Sequence, residues 1–203
     1  CTTAVMQRFL NIPNPCAGGV FDRTVFEQHA ALRHADYVRV GGECEIAVRL
    51  GADLKPEGSE FTRENVAPAV QACMAAIEIV DDRYDDYKRF DTPTLIADDF
   101  FDAGCVLGSP VSDWRRLDLQ SLTGSTRIDG NEVGRGKGAD VMGHPFAALA
   151  WLANSMAARG KHLKQGEFVL LGSVVETKWV GPGQEVAIHI DGLGGASALF
   201  AAG

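Results

Sequence analysis

Glu43-Cys44-Glu45 is the triplet in this chain with the most chemical content. On a strand, residues two apart point to one face, so both carboxylates converge while Cys44 turns into the opposite layer. Like charges held that close require a cation, a shared proton or solvent. Ile46, Val48 and Leu50 continue at spacing two, the pattern of a strand in a packed sheet, which makes bare solvation less attractive. A hard divalent ion with oxygen ligands, Mg2+ or Mn2+ above all, satisfies such a pair. On physics alone the bland reading leads, because Glu-x-Glu pairs are common on exposed strand faces. Glu78 evens the balance. It lies in Ala75-Ala76-Ile77-Glu78-Ile79-Val80, an apolar run where a lone ionised carboxylate is expensive. Either it completes a three-carboxylate site with open positions for a bidentate substrate, or it pairs with Arg83 or another base.

Other polar residues carry weaker signals. Asp98, in an apolar neighbourhood, is a candidate catalytic or metal-supporting carboxylate, and capping a helix or loop is about as good an account of it. His144 precedes Pro145 at a helix start, where capping or a core role is favoured over catalysis. Lys137 lies between two glycines, but a phosphate loop needs Gly at 131 and Ser or Thr at 138, and the chain has Asn131 and Gly138. Tyr84 and Tyr87 are read as packing residues. The five cysteines are scattered and include no Cys-x-x-Cys pair, so free, mostly buried thiols in a reducing cytosol are expected.

The elements that must position these groups are legible to different degrees. A short amphipathic helix is expected through Val5, Met6, Phe9 and Leu10, followed by a Pro- and Gly-rich loop over 11–19. Extended chain is read over 37–50. Thr62 caps a predicted helix running through Val70, Cys73 and Met74, with a strand leaving it at 76–80. A short helix over 95–101 and a buried strand over 103–107 follow. Asp129-Gly130 is a strong hairpin turn between 117–128 and 131–133. The best helix spans 145–159, with Pro at its start and Gly160 after its end. Short strands are expected at 168–171, 185–190 and 196–200. Many strands with few helices give a mixed, β-rich α+β fold in one domain over 1–203.

Bulk properties exclude some roles. A net charge of -8 argues against a non-specific nucleic-acid binder. No apolar run approaches the roughly 18 residues that cross a bilayer.

Taken together, Gly42-Glu43-Cys44-Glu45-Ile46-Ala47-Val48 and Ala76-Ile77-Glu78-Ile79-Val80-Asp81-Asp82-Arg83 resemble the metal-site pattern of the 2-keto-4-pentenoate hydratase family, within the fumarylacetoacetate hydrolase superfamily. Ala97-Asp98-Asp99, Gly136-Lys137-Gly138, Met142-Gly143-His144-Pro145 and Ala150-Trp151-Leu152-Ala153-Asn154 match it in order and spacing. The resemblance implies that Glu43, Glu45 and Glu78 bind the metal, in a fold built on a curled mixed β-sheet with a few flanking helices. It also implies a cytoplasmic homo-oligomer acting on a small 2-oxo acid. Lys178 sits where relatives meet the substrate carboxylate, with Ser173 and Thr177 as hydrogen-bond donors, although a surface lysine is the slightly better account of Lys178. The family carries a proton-transfer lysine just ahead of the segment matching Cys1-Thr2-Thr3, so a further N-terminal segment is expected. It also often has an Asp where this chain has Cys16, and an ordinary thiol does not replace a carboxylate in acid–base work.

The expected mechanism is chelation of the substrate carboxylate and 2-oxygen by the metal, which stabilises the enolate formed as a proton leaves or joins C3. Hydration of a 2-hydroxydienoate is the first expectation. A 2-oxo acid decarboxylase, an acylpyruvate hydrolase and a non-catalytic partner subunit are the alternatives.

Overall fold

Backbone pairing along the whole of 40–50 and 70–81 builds the centre of the molecule. The computed structural model describes residues 1–10 and 12–203, with the backbone alone for Val5, Phe9 and Leu10. In chain order the elements are α1 (Ala4–Leu10), β1 (Val25–Glu27), β2 (His29–Arg33), β3 (Val40–Leu50), α2 (Arg63–Val66), β4 (Val70–Asp81) and α3 (Thr92–Ala97). Then come β5 (Asp102–Leu107), β6 (Thr123–Ile128), β7 (Asn131–Lys137), α4 (Pro145–Ala157), β8 (Phe168–Trp179), β9 (Glu185–Ile190) and β10 (Gly194–Ala201). They form two five-stranded sheets, ordered β1-β5-β4-β3-β8 and β2-β10-β9-β6-β7. Each is mixed: β1 runs parallel to β5 and β2 parallel to β10, and the other pairings are antiparallel. The expected β-rich α+β fold is present, with its mixed sheet divided into two layers.

The layers share one core. Cys44, Ile46, Val48 and Leu50 of β3 and Cys73, Ala75, Ile77 and Ile79 of β4 face it, with Val186, Ile188, Ile190, Ala198 and Phe200 supplied by the second sheet. The alternate residues Ala47, Met74 and Ala76 join Cys105 and Leu107 in a separate cluster on the outer face. Both faces of β3 and β4 are thus covered, which is why their sequences read as nearly continuous apolar runs.

Several expected boundaries shift. Thr62 does cap a helix: Asn65 N–H donates to Thr62 Oγ1 (3.3 Å) and Thr62 N–H donates to Asn65 Oδ1 (2.7 Å). That helix ends at Val66, a 3-10 turn containing Pro68 follows, and the chain is already strand at Val70. Val70, Cys73 and Met74 are therefore in β4, because pairing with β3, and the bridge from Cys73 to Val111 on the other side, outweighs the modest helix preference of Ala and Met. Likewise β8 runs on to Trp179 where only 168–171 was expected. Gly172 (φ +124) and several register shifts break its alternation. β1 and β2 were not read as strands.

The Asp129-Gly130 hairpin is present, with both turn residues left-handed (φ 50 and 80) as a type I′ turn requires. α4 starts at Pro145 with His144 as its cap, the Nδ1 accepting from Phe146 N–H at 3.0 Å. α1 is helical as expected. Of the predicted loop over 11–19, residue 11 lies outside the described residues, and 12–19 carry no helix or strand.

Candidate metal centre

Glu43 and Glu78 are direct cross-strand partners, and Glu45 stands two residues along β3 on the same face. One carboxylate oxygen from each lies within 4.8 Å of the others. Glu43 and Glu45 are buried, only 6% and 2% exposed, and Glu78 is half-buried. Burial pushes all three carboxyls up. For Glu78 the charges of Glu45 and Glu43 add to it, and for Glu45 the charge of Glu43 carries it to about 7. Several groups work the other way: Gly172 N–H donates to Glu45 Oε2 at 2.8 Å, the Thr177 hydroxyl donates to Glu43 Oε1, Ser173 also favours ionised Glu43, and the Cys1 ammonium acts on all three.

Positive charge reaches the triad from the Cys1 ammonium and not from a side chain lining its cleft. No Lys, Arg or His is among the described residues lining its cleft, about 530 Å³ including its opening to solvent. Arg83 does not meet Glu78; it pairs with Asp98 at 2.8 Å and donates to the carbonyl of Asp102 at 3.1 Å. Arg39 pairs with Asp82 (3.4 Å) and stacks on Trp179, 4.3 Å from the ring centre. Three converging carboxylates with no side-chain cation between them are the donor set of a hard divalent ion. Ligands on opposite sides of an Mg2+-sized ion at about 2.1 Å stand about 4.2 Å apart, so the triad is nearly closed to that size. The residues present fit the metal.

The remaining predicted residues divide. Ser173 pairs in register with Glu45, is buried and lines the cleft, its hydroxyl donating to the carbonyl of Val175. Thr177 lines the cleft beside Glu43. Lys178 pairs with Gly42, which places it on the other face of β3, and its ammonium contacts Glu176 at 2.7 Å. Asp98 is not brought to the acids: it follows α3 and is clamped by Arg83. Tyr84 packs against Phe90 and Phe101, and Tyr87 packs against Phe101 while also lining the cleft.

Asp102, Phe100 and Trp179, which no sequence signal singled out, line this cleft or its neighbour, as do Asp82 and Asp99 from the motifs that carry the resemblance. Asp99, Phe100 and Phe101 are consecutive left-handed residues (φ 52, 52 and 72), a conformation non-glycine residues rarely adopt. Strain of this kind persists where the surroundings enforce it, commonly at functional sites. Here Asp99 Oδ1 accepts from Gly19 N–H at 3.0 Å, tying the Pro- and Gly-rich loop down beside the site. The Asp-Asp-Phe-Phe composition carried no hint of that geometry.

Residues 21–199 match the model of the fumarylacetoacetate hydrolase C-terminal family. The chain belongs to this family. Within it, the chain is 34% identical over 201 residues to the 2-hydroxyhexa-2,4-dienoate hydratase of Comamonas testosteroni, covering 98% of this chain and 75% of that protein. It is also 34% identical over 158 residues to the 4-oxalocrotonate decarboxylase of Pseudomonas putida, covering 78% of this chain but 59% of that enzyme. The family fold superposes on the 4-oxalocrotonate decarboxylase of Pseudomonas putida G7, a structure complexed with magnesium and adipate. That match has a TM-score of 0.89 at 28% identity and covers 98% of this chain and 74% of that one. These relatives place it in the hydratase and decarboxylase branch of the family.

Proposed function

We propose that this chain is the metal-binding catalytic portion of a lyase that hydrates a small 2-hydroxydienoate, with Mg2+ or Mn2+ held by Glu43, Glu45 and Glu78. The observation that carries this reading is the convergence of three carboxylates, two buried and one half-buried, with no Lys, Arg or His among the described residues lining the cleft. The named hydratase and decarboxylase relatives support the choice of reaction, and the magnesium in a 28%-identical structure supports the choice of ion.

When bound, the metal supplies Lewis acidity toward the carboxylate and 2-oxygen of the substrate, where negative charge develops in the reaction. The chain prepares that position. Gly172 N–H and the Thr177 hydroxyl each hold one carboxylate oxygen, which fixes how Glu45 and Glu43 face the ion. Phe100, Phe101 and Trp179 wall the cleft and limit the water that reaches it. Cys16 lines the adjoining cleft, and burial pushes its thiol up, so it is protonated at neutral pH and does not serve as the base.

The same reading takes the protein to be a cytosolic homo-oligomer. Five unpaired cysteines support a reducing compartment. No described helix is long and apolar enough to cross a membrane. Sedimentation of the full-length protein checks the assembly.

The direct test is turnover of 2-hydroxypenta-2,4-dienoate by full-length protein, followed by loss of dienol absorbance with Mg2+ or Mn2+ and abolished by EDTA. Water added, CO2 released and C–C cleavage are separated by product analysis. Failure to turn over any 2-oxo acid with metal present rejects the assignment.

A further inference from the structure

Two of the five cysteines face each other beside the metal centre. The Cys1 nitrogen donates to the carbonyl of Cys16 at 3.0 Å, and Cys16 N–H donates back to the carbonyl of Cys1 at 3.1 Å. Residues that exchange hydrogen bonds in this way are directly opposed on antiparallel chains, with Cα atoms about 5.5 Å apart and side chains on one face. That separation lies within the roughly 4.4–6.8 Å that a disulfide spans. The surroundings agree. Both residues line the larger cleft, about 1310 Å³ including its opening to solvent, whose wall also holds Glu45 and Glu78. Cys1 packs against the apolar cluster to which Cys16 belongs. The other three cysteines are placed differently. Cys44, Cys73 and Cys105 are fully buried, and their cross-strand partners are Ile77, Val48 and Glu78. Burial pushes each of those three thiols up to about 12.

From this geometry we infer that Cys1 and Cys16 are a redox-active pair, which a low-molecular-weight disulfide such as glutathione disulfide converts to a reversible Cys1–Cys16 bridge. Two exchanges complete the reaction. The thiolate of Cys1, the half-buried member, attacks one sulfur of glutathione disulfide, whose S–S bond breaks to release one glutathione. The thiolate of Cys16 then attacks the Cys1 sulfur, forms the bridge and expels the second glutathione. Two electrons pass from the cysteines to the oxidant, and the two thiol protons end on the two glutathiones. Burial raises the Cys16 thiol and shields it from outside reagents, while its position opposite Cys1 favours the intramolecular second step. The bridge has a structural consequence. Between the two cysteines lie α1 and Thr2, whose hydroxyl donates to the carbonyl of Leu171 at 2.6 Å, next to the Gly172 N–H that holds Glu45. Oxidation closes this segment into a covalent loop beside the cleft, and reduction reopens it.

The test exposes reduced full-length protein to glutathione disulfide at pH 8, followed by thiol counting and mass spectrometry of its peptides. The wild type is expected to lose two thiols, keep no glutathione and yield a Cys1–Cys16 linked peptide that dithiothreitol separates. Cys16→Ser removes the resolving thiol, so it should stop at the mixed disulfide with one glutathione on Cys1. Cys16→Ala gives the same reading should the serine variant not fold. In the oxidised wild type, hydrogen exchange across α1 should slow by on the order of 100-fold, the effect of constraining a loop of about 15 residues in its open state. Glutathione retained on wild-type Cys1, a bridge to any other cysteine, or no loss of thiols overturns the pair. Unchanged exchange across α1 in bridged protein overturns the closed loop. Neither result bears on the metal site, which the pair does not require.

Discussion

Glu45 shows what the arrangement costs a single residue. Burial and the charge of Glu43 raise its carboxyl from an ordinary 4.5 to about 7, and Glu78 is raised well above the ordinary value by burial and both neighbours. An acid whose folded-state pKa lies above its unfolded value stabilises the fold while protonated, and that contribution is lost as the pH rises through the folded value. Metal-free protein should therefore have its highest Tm below about pH 4.5 as far as these groups are concerned, falling between there and about pH 7 and beyond. Mg2+ or Mn2+ should raise the Tm more at pH 8 than at pH 5, as calorimetry across that range would show. Glu78→Gln removes one of the buried charges. Its Tm without metal should exceed that of the wild type at pH 8, while the increment on adding Mn2+ disappears. Thr177→Val deletes the donor that holds Glu43 and should weaken Mn2+ binding by about 10–100-fold with the circular dichroism spectrum unchanged.

At the scale of the element, β8 carries more of the site than its sequence advertises. Its bulged run places Ser173 beside Glu45 and lets Thr177 reach Glu43, while Lys178 goes to the opposite face. Gly172 is the pivot. Its φ of +124 is strained for any other residue, and a Cβ there would meet Thr2 Oγ1 at 1.8 Å. Its N–H is also the donor to Glu45. Gly172→Ala should lower the Tm and weaken Mn2+ binding together, measurable by thermal unfolding and metal titration. The strand β4 teaches a related lesson. Its Ala- and Met-rich stretch has the local composition of a helix, and only its pairing with β3 and β5 makes it a strand with Glu78 facing Glu43.

For the whole molecule, two sheets divide the labour. The face of β3 and β4 turned to the second sheet is core, so the alternate face is free to gather acids that no core would accept. Cys44, between the two glutamates, shows the division: its thiol is fully buried and pushed up to about 12 by burial, with Glu45 adding, and it is chemically inert. Phe200 belongs to the core layer alone, fully buried and in edge contact with Tyr37. Phe200→Ala should cost about 3–5 kcal/mol by denaturant unfolding. Mn2+ affinity, measured where the variant is still folded, should stay near the wild-type value, because stability and site are held by opposite faces.

Period-two spacing and chemical type were enough to raise Glu43, Glu45 and Glu78 as candidates, because strand geometry sends alternate side chains to one face. They left a bland account level with a metal site until the resemblance to the hydratase family was weighed. Capping and turn chemistry likewise marked Thr62, His144-Pro145 and Asp129-Gly130, since those signals are local. The sequence could not say that β4 is strand from Val70 onward, that Asp98 belongs to Arg83, or that Lys178 lies across β3 from the acids. Each of those depends on which strand lies alongside and on bulges that reset the register. Partners distant in the chain settle such questions, and a linear pattern does not contain them.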